Sequence, residues 1–222
     1  MKSEVILALD VDSLKKARYF VNKLYPKIKI FKVGSHLFTA LGPKIIEMIN
    51  KKGAQVFLDL KFFDIPNTVA QAVRSAIRHK VKMLTLHILG DKEMVKAAVD
   101  AAKDEARRLK VKKPLLIGVT VLTSKEANSS DVLTLAKMGI EFGLDGVVCS
   151  AREAKFLRDN IKKKFVIVTP GIRPQGTGVN DQKRTATARE AQEAGSNFLV
   201  IGRPILEAEN PLKVVEAIAE EL

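Results

Sequence analysis

Lys32, Asp59 and Lys61 carry the strongest chemical signal in this sequence. Asp59 and Lys61 stand two residues apart, so on an extended backbone both side chains face the same side. Lys32 falls near the end of the preceding apolar run, where an adjacent strand can set it beside Asp59. The pattern is an alternating array, Lys32–Asp59–Lys61, in which each charge is compensated by its neighbour. Acid and base of this kind, presented together, make a site; the plainer reading is a structural ion-pair network. Asp64 follows in Phe62-Phe63-Asp64-Ile65-Pro66-Asn67-Thr68, where the chain has turned out of the strand, and nothing in the spacing places it in the same pocket.

A second signal lies near the other end of the chain. Gly202–Arg203 follows the apolar run Phe198–Ile201 and precedes a helix-like stretch expected over Ile205–Ala208. Glycine lets a phosphate approach the backbone and Arg203 adds a bidentate cation, an arrangement that α/β barrels often place after their last two strands. The segment from Gly171 to Gln182 is long for a loop and rich in glycine. It reads as a lid from which Arg173 and Gln182 close onto a phosphate, or as a plain loop.

The elements that must position these residues repeat. Short apolar runs occur at Val5–Leu9, Ile28–Val33, Gln55–Leu60, Met83–His87, Leu115–Val121, Gly146–Cys149, Val166–Thr169 and Phe198–Ile201. Amphipathic stretches separate them, among them Leu14–Leu24, Pro43–Lys51, Val69–His79, Lys92–Leu109, Val132–Phe142 and Arg189–Ala194. Pro211–Leu222 closes the series, with Asn210 as N-cap and Pro211 as the first helical residue. Continuously apolar strands are those buried on both faces. Strand–helix units repeated along 222 residues predict one α/β domain, a (β/α)8 TIM barrel spanning residues 1–222. An open doubly wound sheet needs a glycine fingerprint after the first strand, and Asp10-Val11-Asp12-Ser13-Leu14 lacks one. In a barrel the C-terminal strand ends form the site. Those ends carry Asp10, Lys32, Asp59 and Lys61, His87, Thr120 and Thr123, Ser150, Gly171–Pro174 and Gly202–Pro204.

Composition narrows the setting. A formal net charge of +13 suits either attraction of phosphate or nucleic acid or a lysine-rich solvated surface. The charges scatter along the expected helices, and the run Lys162–Lys163–Lys164 lacks the aromatic and glycine pattern of a nucleic-acid module. No run approaches the ~18 apolar residues of a membrane span, and the opening residues do not form a secretory leader, so a cytoplasmic protein is expected. The single cysteine, Cys149, rules out an internal disulfide and a multi-cysteine metal site, and is expected to be a small buried residue. His36 and His79 read as surface or packing residues, and His87 as a hydrogen-bonded residue of the barrel end. No histidine–carboxylate spacing suggests a metal centre.

The segment Asp59-Leu60-Lys61-Phe62-Phe63-Asp64-Ile65-Pro66-Asn67-Thr68 resembles the signature of the orotidine 5′-phosphate decarboxylases, D-x-K-x-x-D followed by I-P-N-T. The likeness continues through Ala8-Leu9-Asp10, Lys32-Val33-Gly34, Val119–Ser124, Thr169–Pro174, Asp181–Arg184 and Val200–Pro204, and is greatest to the short bacterial form. Phe63, where that form commonly has histidine, and Leu89–Gly90 after His87 depart from the pattern. The resemblance implies a metal-free and cofactor-free enzyme converting orotidine 5′-monophosphate (OMP) to UMP. It further implies a homodimer whose catalytic residues are Lys32, Asp59 and Lys61 of one subunit and Asp64 of the other, with Ile65 and Thr68 also crossing the interface. Asp10 and Lys32 would hold the ribose hydroxyls, Thr123 the pyrimidine edge, and Gln182 both base and phosphate. Gly202 and Arg203 would hold the phosphate, with Arg173 in the lid, and Lys61 would donate the proton to C6.

Two other functions compete. The 3-keto-L-gulonate 6-phosphate decarboxylases and hexulose-phosphate synthases share D-x-K-x-x-D but hold Mg²⁺ through an acid at the end of the second strand, where this chain has Lys32. A basic barrel that binds nucleic acid is the other, and it leaves the Asp–Lys array unexplained.

Overall fold

The computed structural model describes residues 2–121, 128–173 and 185–222. Its strands are β1 (Glu4–Ala8), β2 (Ile30–Gly34), β3 (Gln55–Phe62), β4 (Met83–His87), β5 (Leu115–Val119), β6 (Gly146–Val148), β7 (Val166–Thr169) and β8 (Phe198–Ile201). They pair in parallel in chain order and close into a barrel, β8 returning to β1 through Glu4↔Phe198 to Leu7↔Ile201. The helices are α1 (Leu14–Leu24), α2 (Ser35–Leu41), α3 (Lys44–Lys51), α4 (Pro66–Arg78), α5 (Asp91–Leu109), α6 (Ser129–Glu141), α7 (Ala151–Asn160), α8 (Ala188–Glu193), α9 (Arg203–Leu206) and α10 (Pro211–Glu221). The barrel is the expected fold.

Strand parity explains both the core and the site. Ile6, Ala8, Ile30, Phe57, Met83, Ile117, Val168 and Val200 point inward and fill the barrel. Their strand neighbours Leu7, Phe31, Leu58, Leu84, Leu116, Ile167 and Leu199 point outward, into the layer shared with the helices. Because side chains alternate, the inward row continues two residues further up each strand. Above Ala8 comes Asp10, above Ile30 Lys32, above Phe57 Asp59, above Met83 Thr85 and above Val200 Gly202. The charged array is thus the upper continuation of the apolar barrel filling.

Several boundaries differ from the sequence expectation. β2 starts at Ile30, because the Ile28 N–H is taken by the Leu24 carbonyl at the close of α1. β5 ends at Val119 rather than Val121, while β3 runs on to Phe62 through a register irregularity. The short helix after β8 begins at Arg203, directly behind Gly202, and not at Ile205. α7 has a strongly charged sequence, and its start is marked by the capping box formed by Ser150 and Glu153. Ser150, expected at the site as a strand end, is buried as that cap. α4 and α5 are tied together by Glu105, 2% exposed, which meets Arg74, Arg78 and Arg108 at 3.8, 2.8 and 2.7 Å. The charge-assisted bonds from Arg108 and Arg78 lower the Glu105 carboxyl from 4.5 to about 2.

Candidate active site

One cleft opens at the C-terminal end of the barrel. Asp10, Lys32, Asp59, Lys61, Arg173, Gly202 and Arg203 line it over an apolar floor that includes Ala8, Phe57, Val148, Val168 and Val200. The expected array is present. Lys32 Nζ lies 3.5 Å from Asp59 Oδ2, and Lys61 Nζ lies 3.0 Å from Asp59 Oδ1. Asp10 extends it, its Oδ1 3.4 Å from Lys32 Nζ. A β-carbon at Gly34 would stand 3.3 Å from the same Nζ, so the glycine leaves the room that Lys32 uses.

Asp59 is the centre of charge. Burial raises its carboxyl pKa and is the largest single influence, yet it is outweighed by Lys32, Lys61 and the hydrogen bonds from Lys61 and Thr85. The balance lies below the ordinary carboxylate value, so Asp59 is an anion between two ammonium groups. Lys61 has φ +50°, in the left-handed region, which costs a non-glycine residue roughly 1–2 kcal/mol. This backbone turn sits in the β3–β4 irregularity, between the pairs Leu58↔Leu84 and Phe62↔Leu86.

His87 differs from its expected role: its Nδ1 is buried with no hydrogen-bond partner among the described residues. Its ring tilts against Phe63 at 5.5 Å between centroids. Burial, then the nearby Lys61, lowers its pKa against the opposing pull of Asp59, which keeps the imidazole neutral near neutral pH. Burial likewise pushes the Cys149 thiol up, leaving it unreactive, as its position in the core suggests.

Asp64, Ile65 and Thr68 do not line this cleft. All three are exposed, and Asp64 Oδ1 accepts the Ile65 N–H at 2.7 Å. Around them lies an apolar patch in which Phe63, Ile65 and Leu89 are each at least 60% exposed. Arg173 stands at the root of the 171–182 segment, whose expected lid lies outside the described residues. It is 8% exposed, its N–H donates to the Ala186 carbonyl, and its side chain reaches the cleft wall. Gly171, at φ +77°, turns the chain into that wall. Thr123 and Gln182 lie outside the described residues. Among the described residues, no three His, Cys, Asp or Glu side chains come together as a metal site, and no helix is long and apolar enough to cross a membrane. Sequence reasoning missed Thr85, fully buried on β4, whose hydroxyl touches both Asp59 and Lys61. Its signal was its place two residues before His87 on the inward row.

Residues 3–218 match the model of the family described as "Orotidine 5'-phosphate decarboxylase / HUMPS family". The orotidine 5′-phosphate decarboxylase of Moorella thermoacetica is 43% identical over 233 residues, covering 100% of this chain and 92% of that protein. The enzyme of the same name from Aliivibrio fischeri is 46% identical over 226 residues, covering 97% and 95%. Among solved structures, orotidine 5′-phosphate decarboxylase from Lactobacillus acidophilus superposes with a TM-score of 0.87 at 36% identity, covering 99% of each chain.

Proposed function

We infer the reaction from one premise: this chain belongs to the orotidine 5′-phosphate decarboxylase / HUMPS family. It decarboxylates OMP to UMP, the last step of de novo pyrimidine synthesis. The observation that carries the reading is the compensated array at the top of the barrel, Lys61 and Lys32 flanking an ionised Asp59 above an apolar floor.

The chemistry follows from these groups. Breaking the bond between C6 and the carboxyl carbon releases CO₂ and leaves the electron pair on C6, where the ring offers little resonance relief. The Lys61 ammonium, already fixed by Asp59, stabilises that pair electrostatically and then delivers a proton to C6. The resulting amine regains its proton from solvent. Asp59 faces the departing carboxylate, and Lys32 with Asp10 holds the ribose hydroxyls. Arg203 and the Gly202–Arg203 backbone take the phosphate, with Arg173 beside them at the cleft wall. Thr123 and Gln182 complete the pyrimidine and phosphate contacts. Remote phosphate binding then supplies energy for ordering the site.

Asp64, Ile65 and Thr68 act in the cleft of a second copy. Their exposure, their absence from their own cleft and the surrounding apolar patch support a homodimer joined at this face. No metal or organic cofactor takes part: at the strand end where the Mg²⁺-dependent relatives carry an acid, Lys32 presents an ammonium to both Asp10 and Asp59. Neither nucleic acid nor a membrane is a partner, and the working place is the cytoplasm.

The test is the ultraviolet absorbance of OMP mixed with the purified protein in excess EDTA. Conversion to the UMP spectrum supports both the reaction and its metal independence. No change, with activity on a sugar phosphate restored by Mg²⁺, moves the chain to the hexulose-phosphate branch.

A further inference from the structure

We infer that Thr85 is a positioning residue of the decarboxylation, its hydroxyl holding Lys61 and Asp59 in their working geometry. The inference rests on the roles proposed above for those two residues.

β3 and β4 pair at Leu58↔Leu84 and again at Phe62↔Leu86. Asp59, Leu60 and Lys61 therefore stand opposite a single residue, Thr85. The excess length bends β3 and turns Lys61 to φ +50°. A bulged residue of this kind loses its ladder partner, and its partly buried N–H needs another acceptor. Thr85 Oγ1 accepts the Lys61 N–H at 2.9 Å. The same hydroxyl donates to Asp59 Oδ1 at 3.0 Å, and that oxygen also receives Lys61 Nζ at 3.0 Å. The bonds form a closed ring from the Lys61 backbone through Thr85 and Asp59 back to the Lys61 ammonium.

Only a side chain that accepts and donates at once can sit at that point of the ring. Valine has the shape of threonine and neither capacity; serine keeps both. Thr85 is fully buried, so water does not replace it readily. Without the hydroxyl, the strained Lys61 backbone loses its anchor and Asp59 loses one of the donors that fix its rotamer. The ammonium then points less accurately at the reacting carbon. Misplacement of a reacting group by about 1 Å costs up to roughly 100-fold in rate.

The experiment compares Thr85→Val and Thr85→Ser with the wild type. In Thr85→Val, kcat is expected to fall roughly 10- to 100-fold, with KM for OMP and affinity for UMP changed by less than about threefold. Thr85→Ser is expected to recover kcat to within about threefold of wild type. The acid limb of the pH–rate profile should move to higher pH in Thr85→Val, because a hydrogen bond favouring ionised Asp59 is gone. The Asp59 carboxyl titration, followed by ¹³C NMR in wild type and variant, reads the same change without any turnover. It therefore tests Thr85 even if the wild type fails to convert OMP, a result that would count against the proposed function alone. Should Thr85→Val not fold, Thr85→Ala replaces it in every comparison. Unchanged kcat and an unmoved Asp59 titration overturn the inference, as does a serine variant no better than valine.

Discussion

Subunit sharing makes a prediction whose size follows from geometry. Lys61 lines its own cleft, whereas Asp64 does not line it and is exposed beside Phe63 and Ile65. In a twofold dimer each site would then combine Lys61 of one copy with Asp64 of the other. Lys61→Ala removes a positioned proton donor, worth roughly 10²–10⁴-fold, and a cation aimed at developing charge, worth roughly 10²–10³-fold. Together these amount to about 5–10 kcal/mol of barrel-mouth chemistry at ~1.36 kcal/mol per decade. The alanine retains a β-carbon, so the left-handed backbone at this position is equally strained in variant and wild type. Asp64→Ala is expected to be nearly as inactive. Neither variant recovers alone. Refolded or subunit-exchanged as an equal mixture, half of the dimers are mixed, and in each mixed dimer one site carries both lesions while the other carries none. Activity should therefore return to about a quarter of the wild-type value. The assay is loss of OMP absorbance across a mixing series, with dimer exchange followed by mass spectrometry. Exchange without recovery would show that Asp64 serves its own chain, and the shared-site reasoning would fail.

The remaining predictions are independent of that one. Arg203→Ala should raise KM for OMP about 10- to 100-fold, the worth of a charge-assisted hydrogen bond, with a smaller effect on kcat; an unchanged KM removes Arg203 from the phosphate site. Gly34→Ala sets a methyl 3.3 Å from Lys32 Nζ, and should lower kcat/KM about tenfold through that displacement while leaving Tm almost unaltered. Equal kcat/KM would show that Lys32 has slack. Glu105, lowered from 4.5 to about 2 by Arg108 and Arg78, contributes stability that is fully present above pH 4.5 and is lost as pH falls towards 2. Glu105→Gln should therefore be less stable than wild type near neutral pH, with the difference in Tm closing across that acid window. A gap that stays constant with pH refutes the assignment.

How much of this was legible depends on the kind of signal involved. The barrel was readable because its strands are apolar on both faces and its helices carry a helical period, and both patterns are local. Lys32, Asp59 and Lys61 were readable for a related reason. Strand parity carries an inward row from the core to the mouth, so a charge at the end of an apolar run marks the cleft. Thr85 belongs to the same row and escaped notice because threonine is at home in any strand. Its importance comes from the β3–β4 irregularity, and spacing along one strand does not reveal the register between two. The place of Arg173 at the cleft wall is set by the Ile172↔Ala186 bridge, a contact between distant residues that spacing along the chain does not reveal.

The charge balance of the cleft divides the work between its two ends. Asp10 and Asp59 offset Lys32 and Lys61, so the array is locally neutral and offers an anionic nucleotide little net attraction. In the proposed site, attraction would come from Arg203 and Arg173, which line the cleft at the β7–β8 side, and from the long-range field of a chain with a formal charge of +13. Under the proposed roles the array would instead distinguish states of the reacting carbon. A substrate carboxylate would meet Asp59, a like charge, whereas an electron pair developing on C6 would meet the Lys61 ammonium. Binding energy collected at the phosphate can then hold the carboxylate against a repulsion that ends as CO₂ leaves. Whether bound OMP feels that repulsion is decided by Asp59→Asn. If it does, the variant should bind OMP more tightly relative to UMP; an OMP-to-UMP affinity ratio as in the wild type would refute the repulsion.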